Sequence, residues 1–247
     1  MRISVLTIFP EIVAAYRAES IMRRAISRDL LSLELVNIRD FARDKHRSCD
    51  DAPYGGGSGM VFMPEPLSAA IEHVRRPESH VVYPSPSGKP FRQEDARRLA
   101  GKEHLVVIAG RYEGIDQRII DEYVDEELCI GDYVLSSGEV AALAIIDATY
   151  RLREGVISGG SLEEESFEDG LLEYPHYTRP ETFRGRTVPD VLLSGHHERI
   201  RAWRRQQRVL KTARLRPDLL AHTTLNDEDR SLLASADELT GDGNEDD

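Results

Sequence analysis

Three segments of this 247-residue chain, "VVYPSPSG" (81–88), "IAGRYEGID" (108–116) and "CIGDYVLSSGE" (129–139), each follow or complete an apolar run and then turn sharply. Ligands of parallel α/β sheets sit outside the carboxyl ends of the strands, so three such loops can form one pocket. Ordinary strand-to-helix turns account for any one of them; three together are harder to dismiss. None contains G-x-G-x-x-G, which argues against a Rossmann dinucleotide site. The last is the strangest, because Gly131 and Asp132 interrupt a β-like run that Tyr133-Val134-Leu135 resumes before a helix begins.

Other segments exclude particular chemistries. "DDAPYGGGSGM" (50–60) has four glycines in five positions, which frees the backbone to approach a ligand or simply to form a flexible surface loop. It is no P-loop, since the lysines that follow a glycine, Lys89 and Lys102, are followed by Pro and Glu. Met60 stands where the last glycine of a nucleophile elbow belongs. "HHE" (196–198) is not a zinc-binding H-E-x-x-H, and no metal cluster is expected. Cys49 and Cys129 form no C-x-x-C pair and suit a reducing cytoplasm. "RIRAWRRQQRVLKTARLR" (199–216) carries eight Arg or Lys, no acid and one interleaved tryptophan, which suits phosphate contacts and base stacking as well as a solvated helix face.

These residues need a scaffold. Strands are predicted at 3–9, 32–38, 80–85, 104–110 and 127–131, alternating with helices at 11–28, 66–75, 92–100 and 115–122. The alternation predicts an α/β fold, a mostly parallel sheet covered by helices. Ser136 and Glu139 have capping-box spacing before a helix at 138–153, with Val140, Leu143, Ile146 and Tyr150 along one face. Residues 154–173 read as a linker, and Ser194 precedes a helix at 196–211. The expected organisation is a domain at 1–155, a flexible linker at 156–173, a small, mainly α-helical domain at 174–236 and a disordered acidic tail at 237–247.

Net charge is −12, yet residues 226–247 alone hold −8, so the total does not forbid a polyanionic partner for the basic helix. The apolar N-terminal stretch ends at Pro10 and Glu11 without a cleavage site, and no apolar run approaches a membrane span. A cytoplasmic protein without a membrane partner is expected.

Five segments, "RDFARDKHRSCDDAPYGGGSGM", "AGRYEGID", "IGDYVLSSGE", "GLLEYPHYTRP" and "VPDVLLSGHHERIRAWR", together resemble the bacterial tRNA (guanine-N1)-methyltransferases, which belong to the SPOUT class of trefoil-knotted enzymes. The resemblance runs in order from about residue 1 to 220. It implies a homodimer that transfers the methyl of S-adenosylmethionine to N1 of the guanosine 3′ of the tRNA anticodon, position 37. "IGDYVL" would lie in the knot. The methyl-donor pocket would comprise Tyr83, Ser85 and Pro86; Gly110, Tyr112 and Glu113; and Ile130, Gly131, Asp132, Tyr133, Val134, Leu135 and Gly138.

For catalysis the resemblance implies Arg151, to stabilise charge on guanine O6, and a general base. The family's aspartate before Ser-Phe is replaced here by Glu165, with Glu164 as the fallback; Asp169, four residues on, is not the matching position. Glu and Asp differ little in acidity, about 4.3 against 3.9, so basicity survives the change while reach does not. Ser137 replaces a family glycine and narrows the pocket. Assistance by Mg²⁺ stays open, because the sequence holds no dedicated ion cage that would decide it. Two other readings are a related RNA methyltransferase with another target nucleotide and an RNA-binding protein that has lost its base.

Overall fold

Period-two alternation in the strands decides which face each residue serves. Ile3 and Val5 of β1 (Arg2–Thr7) join one buried cluster and Leu6 the other. Leu105 and Val107 of β6 (His104–Ile108) likewise separate from Val106 and Ile108. Both faces are therefore apolar, as a sheet covered on both sides requires. The computed structural model describes residues 1–157, 165–221 and 223–241.

Five strands form this sheet: β1, β2 (Ser32–Asn37), β5 (Ser79–Pro90), β6 and β7 (Glu126–Cys129). Their order is β2-β1-β6-β5-β7, and every pairing is parallel. One face buries α1 (Pro10–Arg17), α2 (Ser20–Ser27), α4 (Gln93–Ala100) and α6 (Gly138–Tyr150) through residues such as Val13, Met22, Leu99 and Ile145. The other buries α3 (Pro64–Val74) and α5 (Gln117–Tyr123) through Leu67, Ile71 and Ile119. A two-stranded ribbon of β3 (Asp50–Asp51) and β4 (Val61–Phe62) carries the glycine-rich loop between its strands.

Three expectations need correction. The helix predicted over 11–28 is two helices, because Ser20, where the second begins, takes a positive φ of 53° that the interior of one continuous α-helix cannot hold. Val140 is exposed; the buried stripe of α6 runs through Ala142, Ile145, Ile146, Thr149 and Tyr150. Ser136 and Glu139 form no capping box: Ser137 holds the N-cap position without a side-chain cap, and Glu139 is occupied elsewhere, as described below.

The chain divides into two compact units, Met1–Gly159 and Gly160–Asp247. The second contains a short hairpin (Thr182–Phe183 and Arg186–Thr187) and the helices Asp190–Leu193, His197–Leu215, Pro217–Leu220 and Asp227–Gly241. Ser194 Oγ accepts a hydrogen bond from the His196 N–H at 3.2 Å as the long helix begins. Residues 242–247 of the expected acidic tail lie outside the described residues, as do 158–164 of the expected linker.

Candidate functional site

β5 lies between β6 and β7, and the chain moves from β5 to β6 on one side, then back across to β7 on the other. The loops leaving β6 and β7 therefore diverge at the carboxyl end of the sheet, the place where such folds open a crevice. A cavity of about 280 Å³ occupies it. β5 contributes an irregular stretch as well: Pro84 and Lys89 both pair with Leu128, so Ser85–Gly88 bulge out of the ladder.

Of the residues expected at the pocket, Tyr83, Ser85 and Pro86 line this cavity. So do Gly110, Tyr112 and Glu113 from the second loop, and Ile130, Gly131, Tyr133, Val134, Leu135 and Gly138 from the third. Asp132 is exposed and is not among the lining residues. The cavity also takes in Arg111, Cys129, Ser136 and Ala141, which the sequence reading passed over although all but Ala141 lie inside the quoted segments.

The second loop is held from two directions. Phe62 N–H donates to Gly114 O at 3.0 Å and Asp116 N–H to Phe62 O at 3.2 Å, tying it to β4. Glu113 N–H donates to Met60 O at 3.0 Å, and the Glu113 side chain lies over Gly59, where a β-carbon would fall 2.3 Å from its carboxylate. The glycine-rich loop thus adjoins the pocket. Burial pushes the Tyr83 hydroxyl up to about 12, so it stays a neutral hydrogen-bonding group.

The third loop meets the second through main chain. Gly138 N–H donates to Gly110 O at 3.0 Å, and a β-carbon on Gly138 would lie 2.3 Å from that oxygen. Beside this contact Glu139 is fully buried. Its carboxylate accepts from Thr7 Oγ1 at 2.6 Å, Ser137 Oγ at 2.5 Å and Arg111 Nε at 3.2 Å. The Arg111 guanidinium also lies 4.2 Å over the Phe9 ring.

Arg151 is not at this cavity. Gly138 opens α6 at the pocket and Arg151 follows its thirteenth residue, so one helix length, about 20 Å, separates them within a chain. Glu165 belongs to the second unit, and the fallback Glu164 lies outside the described residues. Asp169 is held in ion pairs: Arg208 grips it with both terminal nitrogens and Arg205 adds a contact at 3.1 Å. Arg205 also pairs with the buried Asp229 at 2.7 Å. Two of the seven arginines and lysines of the long helix His197–Leu215, Arg205 and Arg208, are therefore neutralised internally, while Arg199, Arg201 and Arg214 are exposed. Trp203 lies 6.3 Å from Tyr177, ring centre to ring centre.

A model of the family described as tRNA (Guanine-1)-methyltransferase TrmD matches residues 1–222. The chain belongs to that family. It is 61% identical over 220 residues to a tRNA (guanine-N(1)-)-methyltransferase of Treponema denticola, covering 89% of this chain and 90% of that protein. The protein of the same name from Treponema pallidum is 57% identical over 241 residues, 96% of both chains. That of Borreliella burgdorferi is 56% identical over 221 residues, 89% of this chain and 92% of the relative. Among the described residues no helix is long and apolar enough to cross a membrane. No group of three or more His, Cys, Asp or Glu among them is placed to hold a metal ion.

Proposed function

We propose that this protein transfers the methyl group of S-adenosylmethionine to N1 of the guanosine at position 37 of tRNA. The observation that carries the reading is a single cavity at the strand ends built by the three loops, in a chain that matches the methyltransferase family over residues 1–222. The lining fits such a donor. Leu128, Ile130, Leu135 and Ala141 offer apolar surface to a purine, and Glu113 offers a carboxylate to a cation. The donor, once bound, supplies an activated methyl on a sulfonium.

The chain's own residues do the rest. Guanine N1 carries a proton and is a poor nucleophile until that proton leaves; Glu165 takes it, and Arg151 stabilises the negative charge gathering on O6. Arg151 stands a helix length from the pocket of its own chain, so it serves the pocket of a second copy in a homodimer. Val134, 93% exposed, and Val140 supply apolar surface for that copy beside the cavity. The exposed Arg199, Arg201 and Arg214 hold tRNA phosphates. The double pass of β5 against Leu128 and the third loop is where we assign the trefoil knot.

The test is methyl transfer from labelled S-adenosylmethionine to tRNA transcripts with G or A after the anticodon, the product mapped by mass spectrometry. Incorporation at G alone is expected. A methyl on a different nucleotide would move the protein to the related-enzyme reading, and no calorimetric heat with S-adenosylmethionine together with no transfer to any transcript would leave a pure RNA binder. Glu165→Gln should cut turnover by about 10²-fold or more while donor binding stays within twofold. Undiminished turnover removes Glu165 from the role of base.

A further inference from the structure

We infer that Glu139 is a positioning residue of the methyl-donor pocket, one that fixes the second and third loops in their binding geometry through a buried carboxylate. This rests on the pocket reading above and adds to it a residue that touches no ligand.

The three donors to Glu139 come from three places in the chain. Arg111 belongs to the loop after β6, Ser137 to the loop after β7, and Thr7 to the end of β1. Arg111 and Ser137 line the cavity, whereas Thr7 and Glu139 do not. One carboxylate therefore joins two pocket walls to the central sheet. Arg111 Nη2 adds a longer contact to Ser137 Oγ, 3.4 Å, which closes the ring between the two loops. Thr7 is itself fixed, since its hydroxyl accepts the Phe9 N–H at 2.9 Å, and Phe9 is the residue under the Arg111 guanidinium.

A helix-capping or dipole role does not explain this arrangement. An acid serving the helix N-terminus sits in solvent or bonds the first-turn amides. Glu139 is fully buried and accepts from the side chains of Thr7 and Arg111, on other elements, and from the nearby N-cap hydroxyl of Ser137. Bonds between a charged group and buried donors are among the stronger ones, and a site built from loops needs such support to keep its geometry. Removing it lets Arg111 and Ser137 move independently, and displacements of about 1 Å are enough to weaken a site strongly.

The experiment compares donor binding by calorimetry and steady-state kinetics for the full-length wild type, Glu139→Gln, Thr7→Val and Thr7→Ser. Glu139→Gln should weaken S-adenosylmethionine binding about 10- to 100-fold and raise its KM in parallel, with the KM for tRNA unchanged. Thr7→Val, which lies outside the cavity, should weaken donor binding by about 3- to 10-fold, and Thr7→Ser should retain wild-type affinity because it keeps the hydroxyl. A variant that only reduced the folded fraction would lose amplitude with both KM values unchanged. If Glu139→Gln does not fold, the Thr7 pair decides. Equal donor affinity in wild type and Thr7→Val, or in wild type and a folded Glu139→Gln, overturns the inference. Absence of donor binding by the wild type overturns the pocket reading itself, and this inference with it.

Discussion

Gly138 shows how little space the pocket leaves for substitution. Its β-carbon would fall against main-chain atoms of Gly110, which cannot step aside as a flexible side chain would. Gly138→Ala should therefore separate the second and third loops, lower stability by about 1–3 kcal/mol and weaken donor binding at least about tenfold. Thermal unfolding together with calorimetry checks both, and unchanged affinity would show that the contact does not shape the pocket. His104 offers a second residue-scale test. Burial, with the charge of Arg2 nearby, pushes its pKa below the usual 6.5, and the hydroxyls of Ser4 and Ser79 bond its two nitrogens. The folded state thus refuses a proton that the unfolded chain accepts. That contribution to stability is present above about pH 6.5 and is lost as pH falls through it, by at most about 1.4 kcal/mol per pH unit. Urea titrations between pH 7.5 and 5.5 should show the decline, and His104→Gln should flatten it.

The helices differ in how much of their role their own sequence carries. α3 buries Leu67, Ala70, Ile71 and Val74 at helical spacing, so its inner face is written in its pattern. The long helix His197–Leu215 is another matter, because a row of arginines does not say which are bound within the protein. Arg205 and Arg208 hold Asp169, and Arg205 reaches Asp229 at the start of the helix Asp227–Gly241. Asn226 and Asp229 bond each other's main-chain N–H groups, at 2.8 and 3.1 Å, which fixes that carboxylate. Asp229→Asn should cost about 2 kcal/mol by leaving Arg205 without its buried partner, measured as a lower thermal midpoint. Arg201→Ala, at an exposed site, should instead leave stability unchanged and reduce both tRNA affinity and its salt dependence. The opposite pattern would exchange their roles.

At the scale of the whole molecule, the family motifs and the alternation of strand and helix were legible because both depend on short-range spacing. Strand existence followed from runs such as "HLVVI", and the parallel sheet from the helices between runs. The two sharp turns after β6 and β7 were readable as candidate pocket walls for the same reason. Strand order was not legible, since β1 pairs with β6 across about a hundred residues that carry no local mark of it. The S-x-x-E spacing even pointed the wrong way, to a cap, where Glu139 instead meets Thr7, 132 residues earlier. By itself, then, the sequence determined the family, the types of element and the loops that could bind a ligand. Only the tertiary structure decided which charges are neutralised internally, that Arg111 joins the pocket, and that Arg151 lies a helix length from it. Periodicity says which face of an element is buried, but partners across the fold are chosen by three-dimensional packing, which no local spacing records.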